Sequence, residues 1–320
     1  MKLKLNNRTL KTNFNFIKLC KKNLHNRVTF IGLGNMGYPM AQNLIKSGIK
    51  VAGFDTNTQV TENFRNFGGC KFQTFESAIK ESDAIITMLP NATIVEKIWS
   101  DAFNYAKKGT YMIDSSTISP IDAKNLAEKA HGKNFICADA PVSGGVMGAQ
   151  NATLSFMVGT KNQDFEQISK YLSPMGKKIF YCGEHSSGQI AKICNNLCLG
   201  ITMAGLSESL ALGVKLGADP KVLSEIIGVS SGRCWSVDTY NPIPGVMEKV
   251  PSSRDYENGF SMDLITKDLN IALDCANKTE LDLDLSKATQ NYYTTIKNEG
   301  MNNKDFSYVF QYILNNKKIK

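Results

Sequence analysis

The sequence predicts an α/β domain, in which helices cover both faces of a parallel sheet, followed by an all-α domain joined to it by one long helix. In the first half, short apolar or β-branched runs alternate with amphipathic segments, which is typical of a parallel sheet covered by helices. After Ser187 this β pattern stops, and a mostly helical composition without proline begins. We therefore predict one domain over residues 27–187 and a second over residues 188–320, which includes the long helix.

Seven runs in the first half have the length and composition of strands: VTFIG (28–32), KVAGFD (50–55), DAIITML (83–89), TYMID (110–114), NFICAD (134–139), TLSFMVG (153–159) and KIFYCG (178–183). One helix between them has well-defined boundaries. Ser119 is its predicted N-cap, Pro120 its first residue and Gly132 its stop.

The second half is predicted to be all-α. Residues 188–216 can form a single helix roughly 40 Å long at about 1.5 Å per residue, long enough to cross from one domain into the next. Further helical segments are DPKVLSEIIG (219–228), FSMDLITKDLNIALDCANK (260–278) and LDLSKATQNYYTTIKNEG (283–300). Residues 241–259 contain several prolines and are predicted to be an irregular connection.

The first 26 residues differ in charge from the rest of the chain. Asp55 is the first carboxylate, and the leader carries seven Lys and Arg residues, which account for seven of the eight net positive charges. Leu10, Phe14 and Ile17 are spaced at i, i+4 and i+7, so a helix here is basic and amphipathic. This predicts a mitochondrial transit peptide over residues 1–26 and a protein of the mitochondrial matrix, with a disordered basic tail as the alternative.

The remaining chain is nearly neutral, which argues against a nucleic-acid partner. No uninterrupted apolar span of ~20 residues is present, so no membrane segment is predicted. The eight cysteines form no CxxC pair and have no histidine at zinc-finger spacing. We therefore predict reduced thiols and no metal.

The first predicted strand leads into GLGNMG, in which Gly32, Gly34 and Gly37 match the G-x-G-x-x-G pattern. The first glycine permits a tight turn, the second lets the backbone approach a pyrophosphate, and the third lets helix and strand pack closely. A helix follows, whose N-terminus favours phosphate groups. The pattern predicts a Rossmann-type domain that binds a dinucleotide, with a glycine turn lacking a ligand as the alternative.

Asp55 ends the second predicted strand, 21 residues after Gly34. A carboxylate there can accept hydrogen bonds from the adenosine ribose hydroxyls, and it repels a 2′-phosphate. The nearest cation that follows is Arg65, too far along the chain to be an adjacent partner for that phosphate. The sequence therefore predicts NAD rather than NADP.

The segment DAPVSGG (139–145) is a strand end that opens into a glycine loop. The amides of Gly144 and Gly145, with the Ser143 hydroxyl, can hold a small carboxylate in a backbone nest. An ordinary turn from strand to loop is the alternative reading.

Lys192 lies in an otherwise neutral, largely apolar stretch, GQIAKICNNLCLG (188–200). On a helix, Gly188, Asn195 and Asn196 share its face. A lysine in a dry pocket beside a bound cation has a lowered pKa and can take the proton of a hydroxyl group while hydride leaves to a nicotinamide. The alternative is a surface lysine that extends from a core helix into solvent.

Four segments together resemble the β-hydroxyacid dehydrogenase family: GLGNMGYPMAQNL (32–44), DAPVSGG (139–145), GQIAKICNN (188–196) and TKDLNIAL (266–273). The likeness extends from Arg27 to about Ile313, and no motif position departs from the family pattern. The resemblance implies an oxidoreductase acting on a CH–OH group, which oxidises 3-hydroxyisobutyrate to methylmalonate semialdehyde with NAD in valine breakdown. It also implies a homodimer or homotetramer in which the helical domains pack together.

The resemblance further assigns roles by motif position. Lys192 corresponds to the catalytic lysine. The implied cofactor-binding residues are Gly32, Leu33, Gly34, Asn35, Met36, Gly37, Asp55, Leu89, Pro90, Thr117 and Lys267. The implied substrate-binding residues are Ser143, Gly144, Gly145 and Asn196.

Two other functions stay open at this point. Reductases of tartronate, succinic or glyoxylic semialdehyde share these motifs, but many favour NADPH and carry a basic residue after the second strand. A non-catalytic dinucleotide-binding protein is the other alternative, although such proteins tend to lose the catalytic lysine. L-Serine is a weaker alternative among small 3-hydroxy acids.

Overall fold

The computed structural model describes residues 27–315, so the predicted transit peptide over residues 1–26 lies outside the described residues. Within this range one sheet contains eight strands: β1 (Arg27–Ile31), β2 (Lys50–Phe54), β3 (Ala84–Thr87), β4 (Tyr111–Asp114), β5 (Ile136–Asp139), β6 (Val142–Ser143), β7 (Leu154–Gly159) and β8 (Gly176–Gly183). Their spatial order is β2-β1-β3-β4-β5-β7-β6, and β8 pairs with β7. All seven predicted strands are present, and β6 is additional.

The first five strands are parallel, and their carboxyl ends lie in one row. Ile31 pairs with both Phe54 and Thr87, Thr87 pairs with Asp114, and Asp114 pairs with Asp139. Every loop that follows these strands therefore leaves the sheet at the same edge. In open α/β sheets this is the edge where ligands bind.

Seven helices belong to the sheet: α1 (Gly37–Lys46), α2 (Thr58–Phe67), α3 (Phe75–Glu81), α4 (Ala92–Ala102), α5 (Pro120–Gly132), α6 (Gly145–Gln150) and α7 (Asn162–Leu172). One core cluster includes buried residues of α1, α2, α6 and α7, and a second includes those of α3, α4 and α5. Helices therefore cover both faces, as predicted. The boundaries of α5 are also confirmed, since Ser119 caps it by accepting a hydrogen bond from the Ile121 amide.

The sheet is mainly parallel, as predicted, but β7 runs antiparallel to β5 and β6. A parallel crossover needs about a dozen residues or more and usually a full helix. The connection from β5 to β7 contains only β6 and the six-residue helix α6, so the chain turns back instead. Gly159 allows the resulting contact, because a Cβ there would lie 2.5 Å from Asp139 Oδ1.

The predicted long helix is present as α8 (Ser187–Lys215, 29 residues). The other helices of the second half are α9 (Pro220–Val229), α10 (Trp235–Thr239), α11 (Met262–Lys278), α12 (Asp284–Ile296) and α13 (Val309–Asn315). Asp219 caps α9 and Ser261 caps α11. The α8 helix contacts β7 and β8 on one side of the molecule and α11, α12 and α13 on the other, so it connects the sheet with the helical core.

By length and composition alone, α8 meets the requirement for a helix that crosses a membrane, which the sequence analysis did not anticipate. Core helices of globular proteins meet the same requirement. In this structure α8 packs on both the sheet and the helices, and it carries the buried polar side chains of Gln189, Lys192 and Asn196. Packing within the chain therefore covers part of its apolar surface, and the expectation of no membrane partner stays a prediction.

Candidate active site

The glycine turn after β1 has the geometry that the G-x-G-x-x-G pattern predicts. Gly32 has φ +95°, in the left-handed region that favours glycine. A Cβ on Gly37 would lie 1.9 Å from the Gly32 carbonyl oxygen, so only glycine permits this contact between turn and helix. A Cβ on Gly34 would meet no atom within 4 Å. Gly34 thus borders open space, whereas Gly32 and Gly37 are required by the fold.

Open space beside Gly34 coincides with an unsatisfied helix terminus. Helix α1 has no side-chain cap at Met36 and no acidic residue in its first turn. Backbone amides of an uncapped first turn are free to bind an anion. The turn therefore fits a pyrophosphate group, with Asn35 exposed beside it and Leu33 buried beneath it.

Asp55 follows β2 and lies directly beside the glycine turn. Its Oδ2 accepts a hydrogen bond from the Leu33 amide at 2.8 Å, and its Oδ1 accepts one from the Asn57 amide at 2.8 Å. These bonds hold the carboxylate at the end of β2, where it remains partly exposed. A fixed negative charge therefore stands beside the candidate phosphate site.

Leu89, Pro90 and Thr117 lie at the same edge, after β3 and β4. The Leu89 amide donates to Ser116 Oγ at 2.8 Å, which joins the two loops. Asp114, at the end of β4, accepts hydrogen bonds from the Ser116 amide and hydroxyl and from Thr87 Oγ1. Burial raises the pKa of Asp114 to about 6, although these hydrogen bonds oppose the shift. The loop that carries Thr117 is therefore fixed from within the sheet.

The Ser143 to Gly145 segment forms an exposed turn at the start of α6. Gly144 has φ +128° and Gly145 has φ +61°, so two successive residues adopt left-handed backbone conformations. Both glycines are exposed, and a Cβ on Gly145 would meet no atom within 4 Å. The turn is thus exposed, and binding of a small carboxylate by its amides stays a prediction.

Lys192 is buried in α8, with 8% of its surface exposed. Burial lowers the pKa of its ammonium group, the neighbouring Lys267 lowers it further, and Asp268 partly opposes the shift. Among residues 27–315, no hydrogen bond or ion pair engages that ammonium group. A surface lysine extending into solvent, the alternative considered above, does not fit this burial. Lys192 thus has the environment of a group that exchanges protons.

A chain of polar contacts connects the helix of Lys192 to the strand edge. Asn196, one turn beyond Lys192, donates from Nδ2 to Asp268 Oδ2 at 2.5 Å. Asp268 Oδ1 lies 3.2 Å from Lys267 Nζ, an ion-pair distance. Lys267 Nζ then donates to the Thr117 carbonyl oxygen at 2.7 Å. The contacts show how Lys267, on α11 of the second half, reaches the loop after β4.

Asn195 does not share the buried face, contrary to the helix-face prediction. Its side chain is exposed and donates from Nδ2 to Asn196 Oδ1 at 3.0 Å. Gly188 does lie on the buried face, where a Cβ would lie 2.2 Å from the Met157 carbonyl oxygen. Glycine at this position therefore lets α8 pack directly on β7.

Sequence reasoning missed three polar residues that support the site. Asp268 was inside the quoted segment TKDLNIAL, but its apolar surroundings gave no sign of its contact with Asn196. Gln189 donates to the Ser116 carbonyl and accepts from the Ile118 amide, so it anchors the loop of Thr117 to α8. Asp139 accepts from the amides of Ser186 and Gln189 at 2.7 and 2.9 Å, which fixes the start of α8. These partners are 47 or more residues apart in the sequence, so only the fold reveals them.

Comparison with known protein families gives two matches. Residues 27–183 match the family described as the NAD binding domain of 6-phosphogluconate dehydrogenase. Residues 186–313 match the family described as NAD-binding of NADP-dependent 3-hydroxyisobutyrate dehydrogenase. The two matches together extend over nearly all of the described residues.

Individual relatives are similar over most of their length. The chain is 43% identical over 300 residues to the mitochondrial 3-hydroxyisobutyrate dehydrogenase of Rattus norvegicus, covering 92% of this chain and 90% of the relative. It is 44% identical to the enzyme of that name in Drosophila melanogaster, covering 88% of each chain. Among solved structures, Mycobacterium tuberculosis 3-hydroxyisobutyrate dehydrogenase with L-serine has a TM-score of 0.86 and 36% identity, covering 91% of this chain and 99% of that one.

Proposed function

The chain belongs to the β-hydroxyacid dehydrogenase family, and from that membership we propose that it oxidises 3-hydroxyisobutyrate to methylmalonate semialdehyde in valine breakdown. The observation that supports this most strongly is the buried Lys192, whose helix is joined through Asn196, Asp268 and Lys267 to the loop of Thr117. These contacts connect the proposed proton-transfer group to the sheet edge where the dinucleotide would bind.

In this proposal the dinucleotide, when bound, accepts the hydride from the alcohol carbon. Lys192 takes the hydroxyl proton at Nζ, for which its lowered pKa is suited because the neutral amine is the base. Asn196 orients the lysine and contacts the substrate. Ser143 and the amides of Gly144 and Gly145 hold the substrate carboxylate.

The residues at the strand edge hold the cofactor in this proposal. The amides of the glycine turn, from Gly32 to Gly37, bind the pyrophosphate with Leu33, Asn35 and Met36. Leu89, Pro90, Thr117 and Lys267 contact the cofactor along the loops after β3 and β4.

We further propose that NAD is preferred over NADP. One matched family description names an NADP-dependent enzyme, so the choice depends on this chain's own residues. The Asp55 carboxylate is held beside the glycine turn by the Leu33 amide, and it repels a 2′-phosphate. Thr56 and Asn57, which follow it, carry no positive charge.

L-Serine is a second candidate substrate, favoured by one observation. The related Mycobacterium tuberculosis structure is described with L-serine, and serine is also a small 3-hydroxy acid. A semialdehyde reductase remains the enzymatic alternative. It would show itself as faster turnover of tartronate, succinic or glyoxylic semialdehyde with NADPH than of 3-hydroxyisobutyrate with NAD.

The relatives from Rattus norvegicus and Drosophila melanogaster are named mitochondrial, and we propose the matrix as the location of this chain. The basic leader over residues 1–26 supports this proposal. The test is import of a fluorescent protein that carries residues 1–26. After import, the protein should resist protease in mitoplasts, in which the outer membrane is removed and the inner membrane is intact.

The central experiment is to purify the chain and follow NADH or NADPH formation across a panel of small hydroxy acids. We expect 3-hydroxyisobutyrate to have the highest kcat/KM, with NAD as cofactor. Absence of activity on every 3-hydroxy acid, together with measurable NAD binding, would instead support the non-catalytic alternative.

A further inference from the structure

Two of the chain's three histidines and one buried cysteine meet at a place that the proposed reaction does not use. His131 lies in the last turn of α5, Cys137 in the middle of β5, and His185 in the turn between β8 and α8. Cys137 Sγ is 3.8 Å from His131 Nε2 and 4.0 Å from His185 Nδ1. All three ligand atoms lie within 4.8 Å of one another. We call these three residues the His2Cys cluster.

The spacing of the His2Cys cluster is close to that of a metal site. With a Zn–S bond of about 2.3 Å and Zn–N bonds of about 2.0–2.1 Å, tetrahedral geometry places sulfur and nitrogen ligands roughly 3.6 Å apart. The two measured sulfur to nitrogen distances exceed this by a few tenths of an ångström. The sulfur to nitrogen spacing is thus near that around a bound ion, and the two nitrogens, which lie within 4.8 Å of each other, must come closer together on binding.

The His185 ring has polar neighbours on the sheet, the Cys137 thiol and the Gly159 backbone. Its Nε2 is buried without a partner of hydrogen-bonding geometry. The two imidazole rings lie edge to face, with their centroids 4.7 Å apart. The two rings therefore stand side by side next to the Cys137 thiol.

Charges of both signs surround the His2Cys cluster. The carboxylates of Asp139, Asp164 and Glu184 act on its members, and Lys161 is the opposing charge. Burial lowers the pKa of both imidazoles and raises the pKa of the Cys137 thiol to about 12, so an ion must displace the thiol proton when it binds. Thiolate and imidazole together are the ligand set of zinc and similar thiophilic ions.

We propose that His131, Cys137 and His185 form a binding site for a thiophilic divalent cation of the Zn²⁺ class, with water as the fourth ligand. The Cys137 thiol loses its proton to solvent on binding, and the ion joins α5, β5 and the turn before α8. This site departs from the prediction that the chain binds no metal. The search for CxxC pairs and zinc-finger spacing does not find it, because the three ligands come from three separate elements.

The consequence for the fold follows from the position of His185. The next residue, Ser186, donates to Asp139, which also accepts from Gln189 at the start of α8. An ion at the His2Cys cluster therefore fixes the turn from which the helix of Lys192 begins. It stabilises the folded chain without contacting the candidate active site.

Cobalt titration of the full-length chain, stripped with a chelator and kept reduced, tests this proposal. We expect one equivalent of Co²⁺ to give a thiolate-to-cobalt charge-transfer band and the intense visible absorption of a four-coordinate ion. Zn²⁺ should displace it and raise the melting temperature. Cys137→Ser should abolish the charge-transfer band, while Cys70→Ser, a half-buried thiol elsewhere, should keep it.

Two histidine variants keep the test decisive if Cys137→Ser does not fold. His131 and His185 are only partly buried, so His131→Asn and His185→Asn should fold. Each should weaken Co²⁺ binding by more than about 100-fold, because even outer-shell partners of a metal contribute about 10–100-fold. Absence of the charge-transfer band in the wild type, its persistence in Cys137→Ser, or unchanged affinity in both histidine variants would overturn the proposal.

Discussion

Asn196 donates a 2.5 Å hydrogen bond to Asp268, which joins the helix of Lys192 to the helix of Lys267. Both residues are 2% exposed. Asp268 also lies within ion-pair distance of Lys267. Besides burial, two neighbours of opposite sign therefore act on the pKa of Lys192, and one of them is held by a buried hydrogen bond.

The first prediction concerns the pH dependence of oxidation. The kcat/KM for oxidation should rise with pH as Lys192 loses its proton. Asp268 raises the pKa of Lys192 and Lys267 lowers it. Asp268→Asn should therefore move the acidic limb of the kcat/KM profile to lower pH, and Lys267→Met should move it to higher pH. Measuring kcat/KM against pH for both variants checks this, and shifts in the same direction would contradict it.

Removing the proton-transfer group should abolish most of the activity. Lys192→Ala should lower kcat by about 10²–10⁴-fold, the usual contribution of a positioned acid or base. NAD binding, measured by fluorescence titration, should stay within a few-fold of the wild type. Near wild-type turnover in Lys192→Ala would contradict the assigned role.

Two glycines of the same turn should respond to alanine in different ways. Gly37→Ala should destabilise the fold by about 1–3 kcal/mol, because its Cβ would meet the Gly32 carbonyl. Gly34→Ala should leave the melting temperature unchanged, since its Cβ would meet no protein atom. It should nevertheless weaken NAD binding, because it fills space that the pyrophosphate requires. Thermal melts and cofactor titration of both variants separate the two effects.

Cofactor preference should depend on the charge of Asp55. Asp55→Asn retains an acceptor for the Leu33 amide but removes the negative charge. It should lower kcat/KM with NAD by about 10–100-fold, the value of a charge-assisted hydrogen bond, and should raise relative use of NADP. Asp101→Ala, an exposed acid on α4, is the matched control and should leave the ratio of the two cofactors unchanged.

Self-association should involve the apolar faces of α8 and α9, which contact each other. Leu212 and Leu216 near the end of α8, and Val222 and Ile226 on α9, are all more than half exposed in the single chain. Because soluble proteins rarely expose such patches, we expect a homodimer or homotetramer. The pair Val222→Glu and Ile226→Glu should dissociate it in light-scattering measurements. Phe180→Glu, equally exposed on β8, should not.

The sheet edge was well predicted, because each of its features is determined by residues close together in the sequence. Strand ends, the glycine turn and the cap at Ser119 each depend on neighbouring residues, and the structure contains them all. The antiparallel course of β7 was not predictable in this way. It depends on the shortness of the preceding connection and on Gly159 lying against Asp139.

Polar contacts between distant segments were also beyond sequence reasoning. Asp268 and Gln189 looked like ordinary helix residues, because neither spacing nor composition indicates a partner about 70 residues away. The His2Cys cluster is similar, since His185 is 48 residues from Cys137. The roles of residues inside a motif were predictable from the sequence. The residues that orient them could be identified only from the folded structure.

The α8 helix belongs to two cores at once. Its first turn packs on β7 through Gly188, and its later residues Met203 and Leu210 belong to the two helical core clusters. Neither half of the chain can therefore lose its packing while the other keeps all of its own. The molecule should unfold as one cooperative unit, so a fragment that ends before α8 lacks part of its own interior.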